Sequence, residues 1–166
     1  FCWIASKIIK VPLVATIHGI DVCPKNYLHN FLIRMYLFFP KKIMAVSRYT
    51  FDLAALNCDR KKLIVVNNGV DLEKLKVTKS REVMKKELNL GNKKILLSVG
   101  GLVKRKGIDI VIKALHGVIK KVPNLAYLVI GRGSELENLK VLSKSLGLEE
   151  KVRFLGYVSN SEIANY

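Results

Sequence analysis

Short apolar runs recur along this chain, and each ends in glycine or polar residues before a helical pattern begins. They lie at residues 11–17, 43–46, 62–66, 95–99, 126–130 and 152–155. Runs this short and this apolar read as strands of a parallel sheet. Between them the spacing changes to that of a helix. Leu28, Phe31, Leu32, Met35, Phe38 and Phe39 form one stripe. Ile108, Val111, Ile112, Leu115, Ile119 and Val122 form another, closed by Pro123, and Leu136, Leu139, Leu142 and Leu146 form a third, stopped at Gly147. Strands alternating with helices predict an α/β fold with parallel sheets covered on both faces. Periodicity fades over residues 72–79, where charges dominate. The predicted organisation is therefore one unit over residues 1–71, a linker over 72–80, and a second unit over 81–166. Ser47 and Ser80 stand where helix N-caps are expected, and residues 161–166 read as the start of a further helix.

The most informative junction follows the run Ile95-Leu96-Leu97-Ser98-Val99, read as a buried parallel strand. Gly100 and Gly101 come next, then Lys104, Arg105, Lys106 and Gly107, and a helical pattern starts at Ile108. Glycine allows close approach of the backbone, a helix N-terminus presents unpaired N–H groups, and lysines add full charges. This outlines an anion site with a diphosphate as its natural guest. The same residues also describe a surface turn with solvated lysines, and the local pattern does not choose between the two.

Charge points in the same direction. The 166 residues carry 29 Lys and Arg against 13 Asp and Glu, a formal net charge of +16. Such a balance favours anionic partners: nucleotides, nucleic acid or acidic lipid headgroups. Half of the residues are hydrophobic, enough to build a core, so disorder is excluded. Cys2, Cys23 and Cys58 are widely spaced and odd in number. They argue against a disulfide framework and a zinc site, and suit a reducing compartment. No run reaches the roughly 18 to 20 apolar residues that span a bilayer. The first residues lack a Met and read as the interior of a helix, so the sequence is expected to be a fragment.

Two further features admit alternative readings. His18 follows the first apolar run, in His18-Gly19-Ile20-Asp21, at the sheet edge where open α/β folds bind ligands. It is either a ligand contact or a structural histidine. The helix expected over residues 27–39 is apolar on both sides and is followed by Lys41 and Lys42. It fits a membrane-surface helix or one packed between a sheet and its neighbours.

Taken in order, several short motifs resemble the retaining glycosyltransferases of family four, which have the GT-B architecture of two facing Rossmann-like domains. The pieces are Thr16-Ile17-His18-Gly19-Ile20-Asp21, Ala45-Val46-Ser47, Asn68-Gly69-Val70-Asp71, Ser98-Val99-Gly100-Gly101-Leu102 through Lys106-Gly107, Val129-Ile130-Gly131-Arg132-Gly133, and Val152-Arg153-Phe154-Leu155-Gly156-Tyr157-Val158. The resemblance implies a GT-B-type α/β fold of two Rossmann-like units, both truncated here. It implies sugar transfer from a nucleotide-sugar donor to a glycan or lipid-linked acceptor, with retention and without a metal or other cofactor. Lys106 matches the family's donor-phosphate lysine. Gly100 and Gly101 match the loop passing the diphosphate. His18 matches the histidine near the transferred sugar, the candidate catalytic residue. Gly131 and Gly133 match the loop near the nucleoside, and Tyr157 and Val158 the region that reads the base. The implied setting is cytoplasmic, or peripheral at the inner face of an anionic membrane.

The sequence departs from the family at Gly101, where an arginine usually supplies a second phosphate contact. Donor binding should weaken unless Lys104 or Arg105 substitutes. The chain also stops before the family's pair of glutamates, so this stretch alone is expected to be inactive. A nucleotide-sugar epimerase or a phosphorylase of the same architecture is a rival enzyme. A non-catalytic nucleic-acid binder is a rival of another class. The lysines are scattered and not interleaved with aromatics, so nucleic acid is not the expected partner.

Overall fold

A computed structural model of the protein describes residues 2–23 and 26–166. The chain divides into two compact units, Phe1–Val70 and Asp71–Tyr166. Each contains a three-stranded parallel sheet whose strands lie in sequence order.

The first unit runs α1 (Cys2–Ile8), β1 (Val14–Ile17), α2 (Tyr27–Phe38), β2 (Lys42–Ala45), α3 (Arg48–Ala54) and β3 (Leu63–Val65). Phe1, which the sequence places in the opening helix, lies outside the described residues. The Ser47 hydroxyl caps α3, accepting from the Thr50 N–H at 3.1 Å, and Asn26 caps α2 through the His29 N–H at 2.8 Å. Such caps satisfy helix-end donors that have no partner within the helix. The core joins Ile33 and Leu37 of α2, Phe51 and Ala54 of α3, and Ile17, Ile43, Ala45 and Leu63 of the strands. All of it lies in one cluster. One face of the sheet is less covered than the other within these residues. Val14 and Ile64 remain exposed, and α1 contributes no buried residue. β1 is also shorter than the apolar run that announced it, because residues 11–13, with Pro12 among them, stay outside the ladder.

The second unit runs α4 (Arg81–Glu87), β4 (Lys94–Val99), α5 (Ile108–Lys121), β5 (Leu125–Ile130), α6 (Leu136–Ser145) and β6 (Val152–Gly156). β5 is central and wholly buried from Ala126 to Ile130. Its alternate residues enter two cores. Tyr127 and Val129 join Ile112, Leu115 and Leu139 of the helices, while Ala126 and Leu128 pack with Leu90. β4 is parallel as expected. Among the described residues it pairs with β5 alone, and Ile95, Leu96 and Val99 keep 37, 38 and 56 % of their surface exposed.

Residues 72–80, read as a linker, are tied into this unit. They include a single 3-10 turn, Leu72–Leu75. The Asn165 side-chain oxygen accepts from the Thr78 and Lys79 N–H groups at 2.8 and 3.1 Å. The helix expected over residues 161–166 is reduced to a 3-10 turn, Ile163–Asn165. Among the described residues no helix is long and apolar enough to cross a membrane.

Gly117 sits in the middle of α5, exposed, with open space where a Cβ would stand. Glycine costs a helix interior backbone entropy, so Gly117→Ala should raise unfolding stability by about 0.5–1 kcal/mol. Urea denaturation of the full-length protein measures it.

Candidate anion-binding site

The carboxyl ends of β4 and β5 continue as two loops that run side by side. The Gly100 N–H donates to the Ile130 carbonyl and the Leu102 N–H to the Arg132 carbonyl, each at 2.9 Å. From the other side, the Gly131 N–H donates to the carbonyl of Gly156, the last residue of β6, at 2.7 Å. The parallel hydrogen-bond pattern therefore extends past the strands into the glycines. There is no room between the loops for side chains. A Cβ on Gly131 would stand 1.9 Å from the Gly100 carbonyl oxygen, and one on Gly133 would stand 2.2 Å from that of Leu102. Gly131 also has φ 140°, a conformation that L-residues rarely adopt.

Leu102 pins the first loop. It is 1 % exposed and packs in the cluster of Ile112, Leu115 and Leu139. Beneath the glycines, the buried Tyr127 hydroxyl donates to Ser98 Oγ at 2.8 Å, which satisfies the one polar atom of that ring. Burial pushes the Tyr127 phenol up from its ordinary pKa, the Ser98 hydrogen bond opposing it.

Past Leu102 the chain makes a 3-10 turn, Lys104–Lys106, and then enters α5 through Gly107. No side-chain cap closes this helix start at Gly107; the Ile110 N–H turns back to the Gly107 carbonyl at 3.0 Å, and the N–H groups of Ile108 and Asp109 are left for an anion. A cavity of about 150 Å³ opens here. It is lined by Ser98, Gly100, Gly101, Lys106, Ile108 and Ile130 among others. Lys106 thus shares one recess with both glycines and the first residue of the helix.

The three adjacent cations do not play the same part. Lys104 Nζ is held by Asp109 Oδ2 at 3.1 Å, and Lys113 reaches the same carboxylate at 3.5 Å. The hydrogen bond from Lys104 is the leading reason the Asp109 carboxyl lies below its ordinary pKa. Asp109 is the acidic residue of the helix's first turn, and its charge is answered within the protein. Among the described residues, neither Arg105 nor Lys106 is in an ion pair. Of the two residues proposed to stand in for the missing arginine, Lys104 is therefore already engaged. A side chain at Gly101 would meet only ordinary contact, the Arg132 carbonyl at 3.9 Å, so the absence of arginine there has no steric cause.

The other sequence-derived candidates fall into place by unit. Gly131 and Gly133 back onto the glycine loop. Tyr157 follows β6 at the same sheet end, 61 % exposed, with Val158 half-buried after it. Arg132, which sequence reasoning left without a role, lays its guanidinium over the Tyr157 ring at 5.4 Å from the centroid. Its position between two glycines was the available signal. His18 belongs to the first unit. It follows β1 as an exposed residue and opens the 3-10 turn Gly19–Asp21, with its N–H donating to Asp21 Oδ2 at 2.7 Å. Among the described residues no three His, Cys, Asp or Glu side chains cluster as a metal site.

Comparison with known proteins gives this geometry a family. Residues 79–166 match Glycosyl transferases group 1, and residues 1–74 match Glycosyltransferase Family 4. The GDP-mannose-dependent alpha-(1-6)-phosphatidylinositol monomannoside mannosyltransferase of Mycobacterium tuberculosis is 30 % identical over 96 residues, 57 % of this chain and 25 % of its own. Alpha-monoglucosyldiacylglycerol synthase of Streptococcus pneumoniae is 26 % identical over 182 residues, covering 99 % of this chain and 40 % of its own. Anabaena Alr3699/HepE, solved in complex with UDP, superposes with a TM-score of 0.84 at 23 % identity, over 99 % of this chain and 46 % of that one. The chain thus spans between a quarter and about half of the length of these three proteins.

Gly131→Ala should force the paired loops apart and destabilise the second unit by about 2 kcal/mol or more, combining overlap with backbone strain. Gly101→Ala should leave stability within about 0.5 kcal/mol, as its Cβ meets only ordinary contact. Thermal melts of the two variants beside wild type give the contrast.

Proposed function

The chain belongs to the glycosyl transferases group 1, and from that premise we propose that it is part of a GT-B enzyme moving a sugar from a nucleotide-sugar donor to an acceptor, with retention and without a metal. The observation that carries this reading is the recess shared by Gly100, Gly101, Lys106 and the start of α5. A nucleotide-sugar leaves its diphosphate as the glycosidic bond breaks, and negative charge builds on the leaving oxygen. Free N–H groups and an unpaired ammonium, fixed in advance, stabilise that charge at little reorganisation cost. Tyr157, stiffened by Arg132, and the loops at Gly131 and Gly133 supply the neighbouring nucleoside position. HepE binding UDP and UDP-glucose supports a donor of this kind. His18 is assigned to the transferred sugar on the strength of its motif, at the carboxyl end of β1. The acceptor is assigned to glycans or lipid-linked sugars, the latter favoured by the lipid acceptors in the names of two relatives.

In the full-length enzyme Lys106→Ala should slow donor use by about tenfold to a thousandfold, the range for losing one electrostatic contact at a leaving group. Unchanged turnover would remove Lys106 from the chemistry. Thermal shift against UDP-, GDP- and ADP-sugars identifies the donor, since a ligand bound only by the folded form raises the melting temperature.

A further inference from the structure

The recess beside α5 contains a polar group that the donor reading leaves without a task. Of its eight lining residues, only Ser98 and Lys106 have polar side chains. Ser98 is the one polar residue of the run Ile95–Val99, at a position where valine would suit a strand better. Its side chain is on the α5 side of the sheet. In the parallel register Leu96 stands beside Tyr127 and Ser98 beside Val129, and Tyr127 and Val129 pack with Ile112 and Leu115 of α5. Ser98 therefore closes the β4 end of the recess, while Ile108 closes the α5 end.

The proton of this hydroxyl can be traced. Tyr127 is fully buried, and burial pushes its phenol up from the ordinary pKa, so it stays protonated and acts as a donor. It donates to Ser98 Oγ at 2.8 Å. A serine hydroxyl has one proton to give and two acceptor positions. With one acceptor position taken by Tyr127, the Ser98 proton is turned away from the ring. Among the described residues the Tyr127 phenol is the one hydrogen-bonding partner of the Ser98 side chain. The half-buried hydroxyl thus has the recess as the outlet for its proton. A phenylalanine at position 127 would bury the same ring with no polar atom to satisfy, so the core alone does not call for the pair.

We propose that Ser98 is a further anion-binding residue of this recess, its hydroxyl donating to a phosphate oxygen, and that Tyr127 is a positioning residue that holds that hydroxyl with its proton towards the ligand. This role rests on the reading of the recess as a diphosphate site. Lys106 brings charge on a long flexible stem. Ser98 stands on a strand with its hydroxyl held by a buried ring, so it adds direction to the ammonium's charge.

The test uses the full-length protein and inorganic pyrophosphate, which carries the diphosphate without sugar or base, in a calorimetric titration. Ser98→Ala should weaken binding about tenfold, as expected for losing a hydrogen bond to a charged group. Ser98→Thr keeps the hydroxyl and should bind within about threefold of wild type. Tyr127→Phe should weaken binding by about threefold or more. In the Ser98→Ala background Tyr127→Phe should weaken nothing further, since the phenol acts through Ser98. A structural role alone would lower the melting temperature and leave the affinity of the folded protein as it was. The double variant removes both polar partners together and leaves no buried hydroxyl unpaired, so it keeps the test decisive if Ser98→Ala unfolds. Lys106→Ala in the same titration separates the two readings. Weakened binding by Lys106→Ala with wild-type affinity in the double variant overturns the role of Ser98 and leaves the recess standing as an anion site. A further loss on adding Tyr127→Phe to Ser98→Ala overturns the role of Tyr127. If wild type binds no pyrophosphate, the diphosphate reading of the recess falls and takes the role of Ser98 with it.

Discussion

The second unit depends on how closely two backbones approach at the end of its sheet. Gly131 and Gly133 let the loop after β5 lie against the carbonyls of Gly100 and Leu102 with no side chain between them. That contact extends the hydrogen-bonded ladder beyond the strands and fixes the exit direction of the chain after β4. Leu102 then anchors the loop in the core, and the basic turn follows at a defined place next to the start of α5. Lys106 is long and flexible in itself. Its reach into the recess is meaningful only because the backbone that carries it is held by glycine packing on one side and apolar burial on the other.

Electrostatic economy distinguishes this turn from a merely basic surface. A carboxylate in the first turn of a helix suits the helix dipole but competes with any incoming anion. Here Asp109 is answered by Lys104 and Lys113, so two cations settle an internal charge while Lys106 remains for the recess. Counting lysines in the sequence could not separate these roles. The +16 balance describes the field that draws anions towards the chain, whereas the ion pairs decide which ammonium one of them can meet.

Much of this was legible in the residues. Val129-Ile130-Gly131-Arg132-Gly133 announced a strand ending in a glycine loop, and Ser47 and Ser80 act as the caps their positions suggested. The stripes of α2 and α5 fixed those helices within a residue or so. Failures came where the deciding contact lies far away in sequence. The helix expected over residues 161–166 is reduced to a 3-10 turn, Ile163–Asn165, whose Asn165 side chain is taken up by Thr78 and Lys79. Residues 72–80 look like a free linker because Asn165, which ties Thr78 and Lys79 down, is more than eighty positions away. Arg132 had no evident task until Tyr157 came beneath it.

The bare side of β4 has a practical meaning. Its outer N–H and C=O groups have no neighbouring strand among the described residues, and Ile95 and Leu96 stand partly exposed on that strand. An apolar strand margin of this kind templates further pairing, and within β4 Lys94 is the one charged residue set against it, with no proline or bulge. Purified as a separate piece, the stretch would tend to recruit β-structure from its own copies and precipitate, so preparations of it call for a solubilising fusion or for the longer polypeptide.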